Sequence, residues 1–285
     1  MVQESYHEPS IWSIAVKNLD FERYRTRPYR EALQRLLDRG ILSPDSKILV
    51  LCAGEIDRQV HEALGFSNVT LSNLSKNLRP EEFAPFRALS LDAENIRCEN
   101  NEYDFCVVHA GLHHCASPHR ALLEMYRVAR IGLLAIEPRD SAFGRLMLKL
   151  NLGQEFEVAS TVGKEEFRGG GLRFGGIPNY IYRFTRREIM KCIETNSPYA
   201  RHKYLFNESV VVPWNRYRRM KNRLISGFAA LARNFDFIIQ RLPFVANIIA
   251  FAVIKPNLPG EIHPWLHFKE GTYSLNQNWV RRNYR

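Results

Sequence analysis

With 285 residues, 45% of them hydrophobic and 12% aromatic, the chain can bury a sizeable core as one large domain or one domain with inserts. No apolar run reaches the ~18 residues of a membrane span, and the opening MVQESYHEPS lacks the charged-then-apolar pattern of a secretory leader, so a cytoplasmic protein is expected. A formal net charge of +10 favours an anionic partner, whether a nucleotide-linked substrate, nucleic acid or a membrane face, although a basic protein without a functional field has the same balance.

Residues 1–46 read as an N-terminal cap. A helix is expected over 21–39, with Leu33, Leu36 and Leu37 on one face and Gly40 as its stop. Residues 47–52 (KILVLC) have the length of one buried strand, broken by Ala53-Gly54-Glu55. Helical spacing of Val60, Ala63 and Leu64 follows, Gly65 ends it, and 68–74 is a second strand. This strand–turn–helix–strand unit is the size of a βαβ crossover. It brings its turn and helix N-terminus to the carboxyl end of a sheet, where nucleotide-like ligands dock. Residues 80–86 suggest a short helix or loop, 86–91 a third strand ending at Asp92, and 103–109 (YDFCVVH) a fourth. Ser117 as N-cap with Pro118 at the first position predicts a helix to Val128, and 131–136 a fifth strand closed by Glu137-Pro138-Arg139-Asp140. Strands alternating with helices give a mostly parallel α/β sheet covered on both faces.

Beyond 140 the pattern loosens. Glycines 169–171, 175 and 176, with Arg168 and Arg173 among them, suit a lid within 141–184. Thr185 and Glu188 stand at capping-box spacing for a helix over 185–194. Residues 204–212 and 247–255 are strand-like and flank a basic helical insert, 213–244. In that insert seven cations (Arg216, Arg218, Arg219, Lys221, Arg223, Arg233, Arg241) face the single acid Asp236, and Leu224, Ile225, Phe228, Leu231, Phe235 and Ile238 supply an apolar side. Such a segment docks on the sheet with a solvated outer face or lies on an anionic membrane surface. The tail, 256–285, shows little period and is expected to be draped or partly ordered. The five cysteines are scattered and read as reduced thiols, and no nucleic-acid module is recognisable.

Four stretches together resemble the class I S-adenosylmethionine-dependent methyltransferases of the small-molecule, type 11-like kind. They are VLCAGE at 50–55, the strand end at Asn73, LDAENI at 91–96, and the run from YDFCVVHAGLHH to AIEPRD at 103–140, where a strand, an L-H-H loop, a helix ending in R-V and a fifth strand follow in order. The resemblance covers residues 45–140 and, more loosely, the later strand pair. It implies a Rossmann-like seven-stranded sheet ending in an antiparallel pair, over residues 47–255. S-adenosylmethionine would contact Cys52, Ala53, Gly54 and Glu55 in the turn, Asn73 and Leu74, Asp92 and Ala93, and His109. Two departures stand out: the acidic-x-Gly-x-Gly-x-Gly turn retains Gly54 alone, and Asn73 replaces the usual carboxylate, losing charge assistance to a ribose.

For a hydroxyl acceptor a proton must be removed, and His113 or His114 is the expected base, unless the pair serves loop packing. Glu137, Arg139, Asp140 and Arg173 are expected to line the acceptor pocket. His113, His114, Cys115 and His119 match no usual zinc spacing, so no metal is expected. The implied reaction is methyl transfer to a small acceptor, most naturally an oxygen on a glycan, nucleotide-linked sugar or secondary metabolite, with peripheral membrane contact as a further partner. The alternatives are a nicotinamide-dependent oxidoreductase and a non-catalytic scaffold whose glycine turn no longer holds cofactor.

Overall fold

The computed structural model describes residues 26–75, 78–158, 171–212, 214, 217, 222–239, 241–258 and 260–284. Residues 21–25 of the expected first helix, Arg168 to Gly170 of the lid, and Arg216, Arg218, Arg219 and Lys221 lie outside them.

Seven strands form one sheet: β1 (Ile48–Leu51), β2 (Val69–Asn73), β3 (Arg87–Ser90), β4 (Tyr103–His109), β5 (Ala129–Pro138), β6 (Lys203–Ser209) and β7 (Ile248–Ile254). Their order is β3-β2-β1-β4-β5-β7-β6. The first five run parallel, and β7 lies antiparallel to both β5 and β6, as the sequence predicts. The order reverses between β1 and β4, and the crevice at such a reversal is where open α/β sheets bind ligands.

β1 is apolar throughout because both of its faces are covered. Ile48 and Val50 pack with Tyr29, Leu33 and Leu36 of helix α1 (Arg27–Asp38) and Val60 of α2 (Glu55–Ala63). Leu49 and Leu51 pack with Leu122 and Met125 of α3 (Pro118–Val128) and, across the same core, Ile189 and Ile193 of α5 (Arg186–Asn196). The predicted caps form: Ser117 Oγ accepts from Arg120 N, and Thr185 and Glu188 make a reciprocal box.

The segment that follows β5, 141–184, begins with α4 (Ala142–Lys149), which buries none of its residues. In the insert between β6 and β7, α6 (Arg223–Ala232) continues through a 3-10 turn into α7 (Asp236–Ile239). The tail carries regular structure. β8 (Leu266–Lys269) and β9 (Thr272–Leu275) form a hairpin, and α8 (Gln277–Asn283) follows, capped by Asn276. Glu270 and Gly271 take consecutive positive φ values of 50° and 79°, the twist a tight hairpin requires; the usual sequence signal for it is Asn-Gly or Asp-Gly. The five cysteines are free thiols, and among the described residues no helix is long and apolar enough to cross a membrane.

Candidate functional site

The parallel register of β1, β2 and β3 brings their carboxyl ends to one rim. Asn73 Nδ2 donates to Ala53 O (2.8 Å), so the end of β2 is tied to the turn after β1, and Leu91 N donates to Asn73 O (3.2 Å), which sets Asp92 beside it. Gly54, Asn73 and Asp92 therefore converge. A Cβ added to Gly54 would meet nothing within 4 Å, so the turn faces open space at the N-terminus of α2. Cys52, where the family turn has its first glycine, takes φ 54° and directs its thiol toward Gly111 O (3.7 Å), joining this turn to the loop after β4.

The acids near the turn are already engaged. Glu55 pairs with Arg58 and Gln59 along α2. Asp57 is buried, its Oδ2 accepts from Gly54 N (2.8 Å), and the Tyr29 hydroxyl lies beside it. Burial pushes the Asp57 carboxyl up to about 7, against the hydrogen bond from Gly54. A folded-state value above the unfolded one means that the folded chain holds this proton more tightly. Its stabilisation is complete below about pH 4 and is lost as pH rises through 7. Asp57→Asn keeps an acceptor for Gly54 and removes the buried charge. It is expected to flatten thermal stability between pH 4 and 7, and to raise it above pH 7 by on the order of a few kcal/mol, read by calorimetric melting across pH.

Across the crevice, β4 and β5 carry a second group. Glu137, 1% exposed at the end of β5, accepts from Gly111 N (2.9 Å) and Leu112 N (2.7 Å) through Oε1, while its Oε2 meets His113 Nδ1 at 2.7 Å. These bonds hold the short 3-10 turn Leu112–His114 against β5. Glu157, from the segment after α4, approaches both imidazoles, its Oε2 lying 3.6 Å from His113 Nε2 and 3.4 Å from His114 Nε2. Asn179 Nδ2 fixes the backbone by donating to His113 O (3.0 Å).

The two histidines thus acquire different chemistry. Burial disfavours charge on His113, but the Glu137 carboxylate, assisted by Glu157, outweighs it and lifts the imidazole to about 10. His113 is therefore an imidazolium at neutral pH, clamped between two carboxylates. Burial and then the positive His113 beside it push His114 down, leaving it neutral with part of its ring exposed. His113, His114 and Glu157 also offer one donor atom each within 4.8 Å of one another, a spacing able to hold a cation as well as a proton. The set drawn from sequence spacing disperses: His119 turns to Glu188 (2.6 Å), and Cys115 Sγ faces Gly111 O (3.8 Å).

The remaining candidates divide. Arg139 and Asp140 line a cavity of about 410 Å3 with Thr185, Arg186 and Glu208, and Arg139 pairs with Glu208 (3.0 Å). Glu137, expected at an acceptor pocket, is instead closed off by its three protein donors. Arg173 pairs with Asp92 Oδ2 (2.6 Å) and Glu94 Oε2 (3.1 Å), so it is held at the rim. A larger cavity, about 930 Å3, runs between α3 and α5 past His119, Leu123 and Lys191 and is lined by none of Gly54, Asn73 and Asp92. His109 stacks on Tyr29 at 4.6 Å, and Leu74 and Ala93 follow β2 and Asp92 on the same rim. Sequence reasoning missed Glu94, Glu157 and Asn179. Glu94 stands two residues after Asp92 with the signal of a polar turn; the other two lie in the loosely patterned lid and carried none.

The family described as "Methyltransferase domain" matches residues 52–136, the segment that spans both halves of this rim. No curated protein matches the chain. Among solved structures, the Haloferax volcanii chain in complex with the Trm112 methyltransferase activator superposes with a TM-score of 0.54 at 10% identity, over 86% of this chain and 95% of that one. The plantazolicin methyltransferase BpumL, in complex with a triazolic desmethylPZN analogue and SAH, gives 0.50 at 12% identity, over 87% and 92%. A SAM-dependent methyltransferase from Thermotoga maritima gives 0.47 at 14%, over 85% and 96%. At these identities the likeness is one of fold.

Proposed function

We propose, from the premise that this chain is a class I S-adenosylmethionine-dependent methyltransferase, that it methylates a hydroxyl oxygen of a small acceptor, such as a glycan, a nucleotide-linked sugar or a secondary metabolite, in the cytoplasm. S-adenosylmethionine, its cofactor, supplies an electrophilic methyl group on a sulfonium when bound. Residues around the rim fit that group. Gly54 leaves space at a helix N-terminus, and Asn73 and Asp92 bring an amide and a carboxylate to the same edge. Cys52, Ala53, Glu55, Leu74, Ala93 and His109 complete the proposed cofactor contacts.

The observation that carries the oxygen reading is the division of labour between the histidines. A hydroxyl has to lose its proton as it is methylated, whereas a thiolate or a neutral amine attacks without prior deprotonation. His114, held neutral, is the proposed acceptor of that proton, and the imidazolium of His113 packs against its ring without competing for it. Arg139 and Asp140 at the neighbouring cavity are the proposed acceptor contacts.

Calorimetry with S-adenosylmethionine, with its demethylated product and with NAD tests the premise, and a methyl-transfer screen over sugars, phenols and amines tests the acceptor. Heat with the first two and O-methyl products support the proposal. N-methylated products alone would overturn the oxygen reading, and heat with NAD alone would favour an oxidoreductase. Arg173 provides a third check, because it occupies the carboxylate of Asp92. Arg173→Ala is expected to tighten cofactor binding about two- to fivefold, the modest size reflecting a half-exposed ion pair. Unchanged affinity would mean that Arg173 and the cofactor do not compete.

A further inference from the structure

The insert between β6 and β7 presents an apolar stripe that is left uncovered among the described residues. Through α6 and α7 every third or fourth residue (Leu224, Phe228, Leu231, Phe235, Ile238) points outward. Leu224 is 85% exposed, Phe228 72% and Leu231 61%. The opposite stripe, through Ala229, Ala232 and Asp236, already makes the helix's own contacts: both alanines pack on Trp214, whose Nε1 donates to Asp236 Oδ1 (2.8 Å). The outer stripe is therefore surplus to docking the helix. Phe244, in the turn that follows α7, is also exposed, as are Phe143, Leu146 and Leu150 of the α4 segment, and α4 packs against that turn.

Charge identifies what covers this surface. Within 222–244 the only carboxylate is buried Asp236, whereas Arg223 and Arg241 are exposed and Arg233 is partly so. The chain just before it reads WNRYRRMK, and α4 adds Lys149, while its Arg145 is paired with Asp140 (2.8 Å). A second copy of this surface would bring arginine against arginine. An anionic lipid surface takes aromatic and aliphatic side chains at the acyl boundary and arginines among its headgroups. The insert is also placed for use: Ser209 at the end of β6 and Pro138 at the end of β5 both pair with Ile248, so residues 210–247 leave and re-enter at the sheet edge that carries Glu137. Tyr217 reaches the lid as well, donating to Leu152 O (2.9 Å).

We propose that α6, α7 and α4 form a docking face for an anionic membrane, and that the methyl acceptor is presented on a lipid anchor at that membrane. The second half rests on the methyltransferase reading, and the first does not. The test is flotation of the full chain with vesicles of equimolar phosphatidylethanolamine and phosphatidylglycerol, and with phosphatidylcholine alone. The full chain is expected to float with the anionic vesicles only. Phe228→Ser with Leu231→Ser is expected to lower partitioning roughly tenfold or more, with an unchanged melting temperature because both side chains are exposed. The docking proposal is overturned if the wild-type chain stays at the bottom of the gradient, if the double variant floats as well as wild type, or if wild type is a dimer that the double variant breaks while neither binds vesicles. Flotation without heat from S-adenosylmethionine would keep the docking face and sink the enzyme reading. Heat without flotation would do the reverse. If both hold, methylation of an acceptor in anionic vesicles should exceed that of its water-soluble headgroup at least about tenfold in kcat/KM, and equal rates would overturn the lipid-anchored acceptor.

Discussion

Glu137→Ala is expected to destabilise the fold by about 3–5 kcal/mol, because truncating one member of a buried charged pair strands the other. Three donors lose their acceptor at once: Gly111 N, Leu112 N and His113 Nδ1. Glu137→Gln should cost less, since an amide oxygen still accepts from the two backbone groups. The pH dependence of the difference identifies the mechanism. His113 titrates at about 10 in the folded chain, above the ~6.5 of an unfolded histidine. Its stabilisation is therefore complete below pH 6.5 and is lost as pH rises through 10. Urea unfolding of wild type and Glu137→Gln should differ most near pH 6 and converge by pH 10.5. A gap that stays constant with pH would show that the loss is one of packing alone.

His114→Ala is expected to lower kcat by about 10²–10⁴ with cofactor affinity unchanged, the range usual for a positioned general base. Because burial and His113 hold His114 below its ordinary value, the acidic limb of the rate profile should fall below pH 6.5 in wild type. Glu137→Gln moves that limb. Without the carboxylate His113 gives up its charge more readily, and the repulsion that depresses His114 weakens. A movement of the limb in either direction marks the electrostatic link between Glu137 and His114. A merely structural role for Glu137 would lower the rate without shifting the limb. Full rate in His114→Ala would remove it as the base.

Much of the fold was legible because buried parallel strands and amphipathic helices declare themselves locally. The run YDFCVVH is β4 residue for residue, and Ser117-Pro118 starts α3 where capping chemistry places it. The hairpin in the tail was not, because Glu270-Gly271 turns the chain without the usual residue pair. The basic insert was half legible. Its apolar residues were seen, but a helix with two apolar stripes does not declare which one packs inward; small alanines on one side, able to approach Trp214 closely, decide it. The rim residues could be placed from strand ends alone. The clamp on His113 could not, because Glu137 is 24 residues away and Glu157 further still.

Tyr29 sets a limit on how small a working version of this protein can be. From α1 it stacks on His109 at the end of β4, meets His61 edge-on, and places its hydroxyl beside Asp57 under the Gly54 turn. The leading helix is thus a wall of the crevice as well as a cover for the core. Recombinant fragments trimmed to residues 52–136 would begin in the middle of the Gly54 turn with one flank missing, and a unit that keeps both flanks has to include α1.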